Sequence, residues 1–301
     1  MDKTAVIVLH YKNESDTYEC LDTLHNSSSR VDYTTIVVAN EVSDQFVDKI
    51  KKRFPQIIVI PLQTNSGFAE GINIGIKKAR SLLSDYMILL NNDVVLGKDL
   101  VKRMVNFAKA DLSIGLVSPK IYFSPGNEYH KSRYKREERG KVIWYAGGLI
   151  DWSNMYASHR GVDEIDQGQY EKAIDTDFAT GCCMLIRREL IEKIGFFDQK
   201  YFLYFEDIDY SMRAKGNGFK VMYYPKVCLW HKNAASSKPG SPIHVYYQTR
   251  NRLYFGFKYA SIATKKSLLI DSMRLAFKGG IWKKAVLDYY LGRMGKGPIW
   301  N

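Results

Sequence analysis

One carboxylate and two amides, Asn91-Asn92-Asp93, directly follow an apolar run over residues 86–90. In an open parallel sheet, ligands bind beyond the carboxyl ends of the strands. Carboxylate and amide oxygens are the ligands that hard divalent cations prefer. The segment therefore indicates a cation site with Asp93 as its charged ligand, although the same residue types are also typical of a turn.

A second group is acidic and covers residues 206–209, after an aromatic run over residues 201–205. Carboxylates this close repel one another unless a cation, a helix dipole or an arginine compensates. Asp209 and Arg213 are spaced i, i+4 and are predicted to pair on a helix. Glu206 or Asp207 could serve as a general base, because a carboxylate beside apolar rings keeps its basicity. The alternative is that both only cap the helix.

Two further features are less specific. His231 follows a strand-like run that ends at Pro225, and it becomes a candidate ligand only if it converges with Asp93 on one metal. The segment over residues 65–73 places Gly67 and Gly71 around a helix start, which suits a close approach of backbone amides to a phosphate or nucleoside. It has neither the P-loop nor the dinucleotide-binding spacing, and a plain helix start is the alternative.

The strands and helices that must position these residues are predicted to alternate along the chain. Continuous β-branched runs predict strands buried on both faces, and the intervening spacing predicts helices. Strands are predicted over residues 5–9, 35–38, 57–60, 86–90, 182–186 and 219–224. Helices are predicted around residues 18–24, 69–83, 188–194 and 206–215. This order predicts an α/β fold with a mostly parallel sheet flanked by helices.

Two regions lack this alternation of strands and helices. Residues 122–169 show no clear period and are predicted to form a long surface loop or insertion. From Pro242 onward the chain is predicted to be helical, rich in aromatic and basic residues. We therefore expect an α/β domain over residues 1–240 and a C-terminal helical region over residues 241–301, associated with the acceptor or a membrane surface.

The composition is basic, with 44 Lys and Arg against 32 Asp and Glu and a formal net charge of +12. Such a balance favours nucleic acid, an anionic membrane face or phosphorylated small molecules, or only solubility. No zinc-finger, helix-turn-helix or RNA-binding pattern occurs, so nucleic acid is not expected. Four cysteines without a C-x-x-C pair indicate a reducing compartment. With no signal peptide and no membrane-spanning stretch, we expect a cytoplasmic protein, or one peripheral on the inner face of the cell membrane.

Basic residues are concentrated near the C-terminus. Between residues 265 and 301 there are eight basic residues and two acidic ones. Leu269, Met273 and Ala276 share one helix face beside Phe277. This pattern suits a helix lying on an anionic membrane surface. An amphipathic helix packed on the domain is the alternative.

Taken in order and spacing, these segments resemble the family 2 glycosyltransferases with a GT-A fold, and within them the rhamnosyltransferase-like bacterial enzymes. The resemblance runs from Ala5 to about Tyr259. It is carried by these segments: His10-Tyr11-Lys12-Asn13, residues 65–73, Leu89-Leu90-Asn91-Asn92-Asp93, residues 180–188, Gly195-Phe196-Phe197-Asp198, residues 204–209, Trp230-His231 and residues 247–252.

The resemblance implies a role for each group. Asp93 would ligate Mn²⁺ or Mg²⁺ with help from Asn91, and His231 would be a further metal ligand. Asp207, in a pair with Glu206, would be the catalytic base. The pocket of the nucleotide sugar would be formed by these residues: His10, Tyr11, Asn13, Asn40, Asn65, Gly67, Phe68, Gly71, Asn73, Asn91 and Asn92.

The implied activity is an inverting transfer of a sugar from a nucleotide diphosphate to a hydroxyl of a saccharide or lipid-linked saccharide, in cell-surface polysaccharide biosynthesis. Rhamnose from dTDP-rhamnose is the preferred donor, with UDP-galactose, UDP-galactofuranose and UDP-glucose as alternatives. A nucleotidyltransferase is a more distant alternative, and the glycine-rich basic signature it needs near the first strand is absent.

Two positions depart from the family pattern. Asn91 stands at the first acidic position of the metal motif, which lowers the negative charge of the site. Ala39 stands where relatives carry an aspartate that holds the base of the nucleotide, and Asn40 or Glu41 would have to replace it.

Overall fold

The computed structural model describes residues 2–26, 33–233 and 240–300, and these form twelve strands and nine α-helices. The strands are β1 (Thr4–Tyr11), β2 (Tyr33–Asn40), β3 (Ile58–Leu62), β4 (Tyr86–Asn91), β5 (Val94–Leu96), β6 (Ile114–Phe123), β7 (Ile143–Tyr145), β8 (Gly148–Asp151), β9 (Tyr156–His159), β10 (Ile174–Asp175), β11 (Cys183–Arg187) and β12 (Lys220–His231). The helices are α1 (Glu14–Asn26), α2 (Asp44–Arg53), α3 (Gly67–Ser81), α4 (Leu100–Lys109), α5 (Arg188–Ile194), α6 (Glu206–Gly216), α7 (Pro242–Tyr259), α8 (Ile262–Lys278) and α9 (Gly280–Tyr290).

A large mixed sheet forms the centre of the fold. Its strand order is β10-β12-β6-β11-β4-β1-β2-β3, with β5 added to β12 and β7 added to β6. The half that contains β3, β2, β1 and β4 is parallel, whereas β11 runs antiparallel between β4 and β6. The parallel half directs the carboxyl ends of β1, β2 and β4 toward the same edge of the sheet, where the predicted motifs lie.

Alternate residues of β1 explain why helices cover both faces. Val6 and Val8 belong to one buried cluster, which includes side chains of α1, α2 and α4. Ile7 and Leu9 belong to the opposite cluster, which includes side chains of α3, α5 and α6. A strand buried on both sides needs a continuous apolar run, as this one has. The predicted α/β class with flanking helices is confirmed.

The predicted loop over residues 122–169 is wrong in part. The segment contains β7, which pairs with β6, and a hairpin formed by β8 and β9. Trp144 and Tyr145 of β7 are buried in the main core cluster. The strands are only three or four residues long, too short to show a period in the sequence.

The predicted end of the last strand at Pro225 is also wrong. Strand β12 continues through Pro225 to His231 and pairs with β6, with a register shift between Tyr224 and Cys228. Proline has no N–H to donate, and it is tolerated in a strand at such an irregularity. The continuation is essential to the site, because it carries His231 to the sheet edge.

The three C-terminal helices pack together, and α9 contacts both α7 and α8. Among the described helices, none combines the length and the apolar composition that a membrane span requires. The division of the chain at residue 240 stays a prediction.

Candidate active site

Asp93, Asp207 and His231 line one cleft of about 640 Å³ at the carboxyl edge of the parallel strands. The cleft is bounded by the ends of β1, β2 and β4 on one side and by β9, α6 and α7 on the other. Groups that are far apart in the chain therefore face one shared space. Clefts in this position, beyond the carboxyl ends of parallel strands, are where open α/β sheets bind their ligands.

Strand pairing brings Asp93 and His231 together. Val94 of β5 is the register partner of His231 in β12, and the backbone N–H of Lys232 donates to the carbonyl of Asp93 at 2.9 Å. Nε2 of His231 lies 3.2 Å from Oδ1 of Asp93. The ring of Trp144 packs edge-on against the imidazole, with 4.6 Å between ring centroids. Strand pairing thus fixes the backbone positions from which both side chains extend.

The pair fits a divalent cation that takes its other ligands from elsewhere. Adjacent ligands of an octahedral cation lie about 3 Å apart, close to the separation of these two donor atoms. Within the described part of the chain, no three His, Cys, Asp or Glu side chains form a complete metal-binding group. A cation such as Mg²⁺ commonly uses one or two carboxylates together with water and substrate phosphates. Asp93, His231 and the Asn91 amide would supply the protein's share.

The acidic pair stands at the N-terminus of α6. Asp207 accepts two backbone hydrogen bonds, from Gly181 N–H on Oδ2 and from Ile208 N–H on Oδ1, each at 2.9 Å. Glu206 is buried, and its Oε2 has no hydrogen-bond partner among the described residues. The two neighbouring carboxyl groups therefore have very different surroundings.

These surroundings affect the pKa values of Glu206 and Asp207 differently. Burial raises the pKa of Glu206 well above its usual range, and the charge of Asp207 raises it further. Burial also raises the pKa of Asp207, but the backbone N–H groups of Gly181 and Ile208 act in the opposite direction. We infer that Glu206 holds the proton of the pair, whereas Asp207 is an ionised carboxylate with increased basicity.

The loop before this pair has an unusual backbone. Phe202, Tyr204 and Phe205 have φ values of 61°, 68° and 72°, a region that non-glycine residues rarely adopt. The side-chain amide of Asn251 on α7 donates to the carbonyls of Tyr201, Leu203 and Tyr204 at 2.8 to 2.9 Å. Strain of this kind persists only where the surroundings hold it. Asn251 is therefore a positioning residue for the acidic pair.

The same loop reaches the predicted nucleotide segment. Phe202 O accepts a hydrogen bond from the N–H of Phe68 at 2.7 Å, at the start of α3. Gly67 has a φ of +80°, and a Cβ there would lie 2.4 Å from the ring of Phe202. The position therefore admits only glycine. The acidic pair and the α3 start are parts of one connected structure.

Replacing Asn251 by alanine tests whether the position of the acidic pair depends on this side chain. The change removes the amide group whose two N–H bonds are shared by three carbonyls, and the acceptor of Arg250 Nε, so we expect a loss of about 2–4 kcal/mol in the free energy of unfolding. Misplacement of Asp207 should lower kcat by about 10- to 100-fold at temperatures where the variant is fully folded. Asn217→Ala removes a single exposed hydrogen bond, to Arg213 O, and is the matched control. Full activity of the folded Asn251→Ala protein would contradict the positioning role.

Most of the predicted binding residues line the cleft: Tyr11, Asn13, Asn40, Asn65, Gly67, Phe68, Asn91 and Asn92, together with Glu206. Asn40 is almost entirely buried, and its amide is already engaged. Its Oδ1 accepts from the backbone and hydroxyl of Ser66, and its Nδ2 donates to Gly67 O at 3.2 Å. Asn40 therefore shapes the segment over residues 65–67. Glu41 is exposed and is absent from the cleft wall.

His10, Gly71 and Asn73 do not line the cleft. His10 stacks on Phe46, and burial lowers its pKa to about 4, so it is neutral at neutral pH. Gly71 lies where a Cβ would be 2.6 Å from the side chain of Leu9. The amide of Asn73 is bonded to the backbone of Phe197 at 2.9 and 3.0 Å. None of the three side chains faces the cleft, and their contacts are packing and hydrogen bonds inside the fold.

His10 has an indirect connection with the site. Its Nδ1 lies 2.6 Å from the hydroxyl of Thr17, and that oxygen accepts a hydrogen bond from Asn92 Nδ2 at 2.9 Å. The imidazole therefore supports the amide of a cleft residue without facing the cleft itself. A second layer of this kind restricts the orientation of the groups in contact with a ligand.

Several residues of the cleft wall had no predicted site role, although some lie in segments that carry the family resemblance: Lys12, Asp16, Tyr129, Trp144, His159, residues 180–182, His244 and Gln248. Lys12 and Asp16 follow β1 at the same sheet edge as Asp93, and this placement could have suggested them. The residues from the segment over 122–169, and His244 of α7, carry no comparable local signal. Only the tertiary fold brings them to the cleft.

Comparison with known proteins places this geometry in context. Residues 2–256 match the family described as Glycosyltransferase like family 2. An N-acetylglucosaminyl-diphospho-decaprenol L-rhamnosyltransferase of Mycobacterium tuberculosis (strain CDC 1551 / Oshkosh) is 23% identical over 230 residues, which are 72% of each chain. The low-salt glycan biosynthesis hexosyltransferase Agl10 of Haloferax volcanii is 22% identical over 256 residues, 84% of this chain and 75% of the relative.

Solved structures show the same fold. GalNAc-T7 with UDP, GalNAc and Mn²⁺ superposes with a TM-score of 0.61 at 17% identity, covering 90% of this chain but only 54% of GalNAc-T7. The mannosyltransferase PcManGT from Pyrobaculum calidifontis, in complex with GDP-Man and Mn²⁺, superposes with a TM-score of 0.55 at 14% identity, covering 96% and 79% of the two chains. At these identities the likeness concerns the fold.

Proposed function

The chain belongs to the family Glycosyltransferase like family 2, and from this premise we propose that its cleft transfers a hexosyl group from a nucleotide diphosphate sugar to an acceptor hydroxyl, with inversion at the anomeric carbon. The observation that carries the proposal is the convergence of Asp93, His231 and Asp207 on one cleft. Mn²⁺ in the structural relatives supports a metal-assisted reaction.

Asp207 is the proposed base. Its carboxylate receives the proton of the acceptor hydroxyl while that oxygen attacks the anomeric carbon, and the bond from that carbon to the diphosphate breaks. The N–H groups of Gly181 and Ile208 hold the carboxylate in place during the reaction. A cation bound by Asp93, His231 and the Asn91 amide would stabilise the negative charge of the departing diphosphate. One base is sufficient for direct displacement, and no covalent sugar-enzyme intermediate is needed.

The start of α3 is the proposed site of the nucleotide. Asn65, Gly67 and Phe68 line the cleft there. The first N–H groups of α3 are bonded to Asn65 Oδ1 and Phe202 O, so the helix would favour a diphosphate through its dipole and not through free N–H groups. Base recognition cannot come from Ala39, whose side chain is fully buried and apolar, and the amide of Asn40 is engaged with Ser66 and Gly67.

Rhamnose from dTDP-rhamnose is the proposed donor, and the name of the mycobacterial relative supports it. Hexoses from UDP are the alternative, supported by the haloarchaeal hexosyltransferase. The proposed acceptor is a saccharide or a lipid-linked saccharide, since the name of the mycobacterial relative specifies a decaprenol-linked acceptor. Mn²⁺ or Mg²⁺ is the proposed metal.

A thermal-shift screen of nucleotide sugars tests the proposal. The protein is heated with dTDP-, UDP- or GDP-linked sugars in the presence of Mn²⁺, Mg²⁺ or EDTA, and ligands that stabilise it are tested for donor hydrolysis. A ligand at 100 times its Kd stabilises a folded protein by about 2.7 kcal/mol. We expect one nucleotide class to raise Tm only when metal is present. Absence of any stabilisation and hydrolysis across the screen would overturn the proposed function.

A further inference from the structure

Helix α8 carries an apolar stripe that nothing in the described chain covers. We define the α8 stripe as Ile262, Leu269, Ile270, Met273 and Phe277. Their exposed fractions range from 47% at Leu269 and Met273 to 92% at Phe277. Their helical spacing places them on one side of α8, whereas Leu268 and Ser272 on the other side are buried. The helix is therefore anchored by one face and presents a second apolar face to the surroundings.

Positive charge surrounds the α8 stripe. Lys266, Arg274 and Lys278 are exposed on α8, and Lys283 is exposed on α9. Both acidic side chains of these helices are engaged elsewhere. Asp271 pairs with Arg252 at 2.6 Å. Asp288 is buried and accepts a hydrogen bond from the hydroxyl of Tyr246 at 2.7 Å. The outward charge of α8 and α9 is thus positive.

Exposed aromatic side chains also occur beside the anchored side of α8. The hydroxyls of Tyr290 and of Ser272, which lies on that side, are 2.8 Å apart, and 49% of the surface of Tyr290 is exposed. At the other end, the hydroxyl of Thr264 donates to Trp152 O at 3.3 Å. Trp152 lies in the turn between β8 and β9, and 42% of its surface is exposed. Tryptophan and tyrosine favour the interface between water and lipid.

We infer that this face of the protein docks on the surface of an anionic phospholipid bilayer. A stripe of long apolar side chains with basic residues beside it is the pattern of a helix that lies in the bilayer interface. Anionic lipids attract such clusters of lysine and arginine. The charge complementarity selects a lipid surface over a second copy of this chain, because two copies would bring like charges together.

Docking of this face would bring the catalytic cleft close to the lipid. Strand β9 extends from the exposed Tyr156 to Ala157, Ser158 and His159, which line the cleft. The β8–β9 hairpin, which contacts α8 through Trp152, therefore also contributes part of the cleft wall. A saccharide acceptor on a lipid anchor could then reach Asp207 without leaving the bilayer. This last step rests on the proposed function, whereas docking itself does not.

Flotation of the full chain with vesicles tests the inference. Vesicles of phosphatidylcholine alone are compared with vesicles of phosphatidylcholine mixed with phosphatidylglycerol, at low and high salt. The charge variant is Lys266→Glu/Arg274→Glu/Lys278→Glu, and the apolar variant is Ile270→Gln/Met273→Gln/Phe277→Gln. The matched control, Lys51→Glu/Lys52→Glu/Lys102→Glu, makes the same change in net charge at exposed positions away from the stripe.

We expect the wild-type chain to bind only the anionic vesicles and to be released by salt. Each of the two stripe variants should lower the partition coefficient at least about tenfold, and the control by less than about threefold. The inference would be overturned if the wild type failed to float or if the control lost as much binding as the stripe variants. It would also be overturned if light scattering showed a dimer that the apolar variant abolishes. Donor hydrolysis in detergent-free solution, which should be unchanged in the stripe variants, reports separately on the proposed function.

Discussion

Asp207→Asn is expected to lower kcat by about 10²- to 10⁴-fold while the affinity for the nucleotide sugar stays within a few-fold of the wild-type value. The amide keeps the size of the side chain but cannot accept the proton of the acceptor hydroxyl. Its oxygen can still accept one of the two backbone hydrogen bonds that hold Asp207. Steady-state transfer kinetics and calorimetric titration of the donor measure the two quantities.

The pH profile of the wild type gives a second test of this role. Only the ionised carboxylate can take up a proton, and burial raises the pKa of Asp207 above its ordinary value. Activity should therefore rise with pH through that raised pKa and be lost as pH falls through it. An acid limb at the ordinary aspartate pKa of about 3.9 would contradict the assignment.

Glu206→Gln is the matched control for Asp207→Asn. Because Glu206 is inferred to be protonated, a neutral amide of the same size should leave kcat within about tenfold of wild type and keep the acid limb. The raised pKa of Glu206 means that the folded state binds more protons than the unfolded state above the ordinary glutamate pKa. Wild-type stability therefore decreases as pH rises through that window, and the variant should show a smaller decrease, because only the raised pKa of Asp207 then contributes. A greater loss of activity in Glu206→Gln than in Asp207→Asn would reverse the two roles.

Asp93→Ala is expected to remove the dependence of donor binding on metal. The wild type should bind the nucleotide diphosphate sugar at least about tenfold more tightly with Mn²⁺ than with EDTA, and the variant should bind equally in both. Calorimetry in the two buffers measures the ratio. Asp99→Ala is a suitable control, because Asp99 is a carboxylate near Asp93 in the chain that does not line the cleft. Retention of the full metal effect in Asp93→Ala would contradict the ligand assignment.

Much of the parallel half of the fold is predictable from the sequence. Strands such as β1 and β4 are buried on both faces, so their positions require uninterrupted apolar runs that stand out from the flanking helices. The acidic motifs follow such a run or begin a helix, and their placement at the sheet edge follows from the direction of the strands. Asp93 is predictable for that reason, whereas the choice of Asp207 over Glu206 rests on the family resemblance.

The contact between Asp93 and His231 is a different case. It depends on the pairing of β5 with β12, and β5 has only three residues while β12 passes through Pro225. Proline normally indicates the end of a strand, so the local pattern predicts an element that is too short. From the residues alone, His231 stayed a conditional candidate, and the family resemblance was needed to pair it with Asp93.

Burial could not be predicted for individual polar residues. His10 and Asn73 lie in segments where a ligand-binding side chain is plausible, but both are satisfied by internal hydrogen bonds. The role of Asn251 was also absent from the sequence pattern, because its three acceptors are backbone carbonyls of a loop about fifty residues earlier. Contacts between side chains and distant backbone leave no periodic signal.

The central claim is that Asp93 and His231 act together on one nucleotide diphosphate in the cleft. A double-mutant cycle with Asp93→Ala, His231→Ala and the combined variant measures this, using calorimetric affinity for the nucleotide diphosphate in Mn²⁺. We predict that the combined variant loses no more affinity than the more damaging single change, because either change already removes the shared cation. Losses that multiply in the combined variant, or no loss in either single variant, would contradict the account.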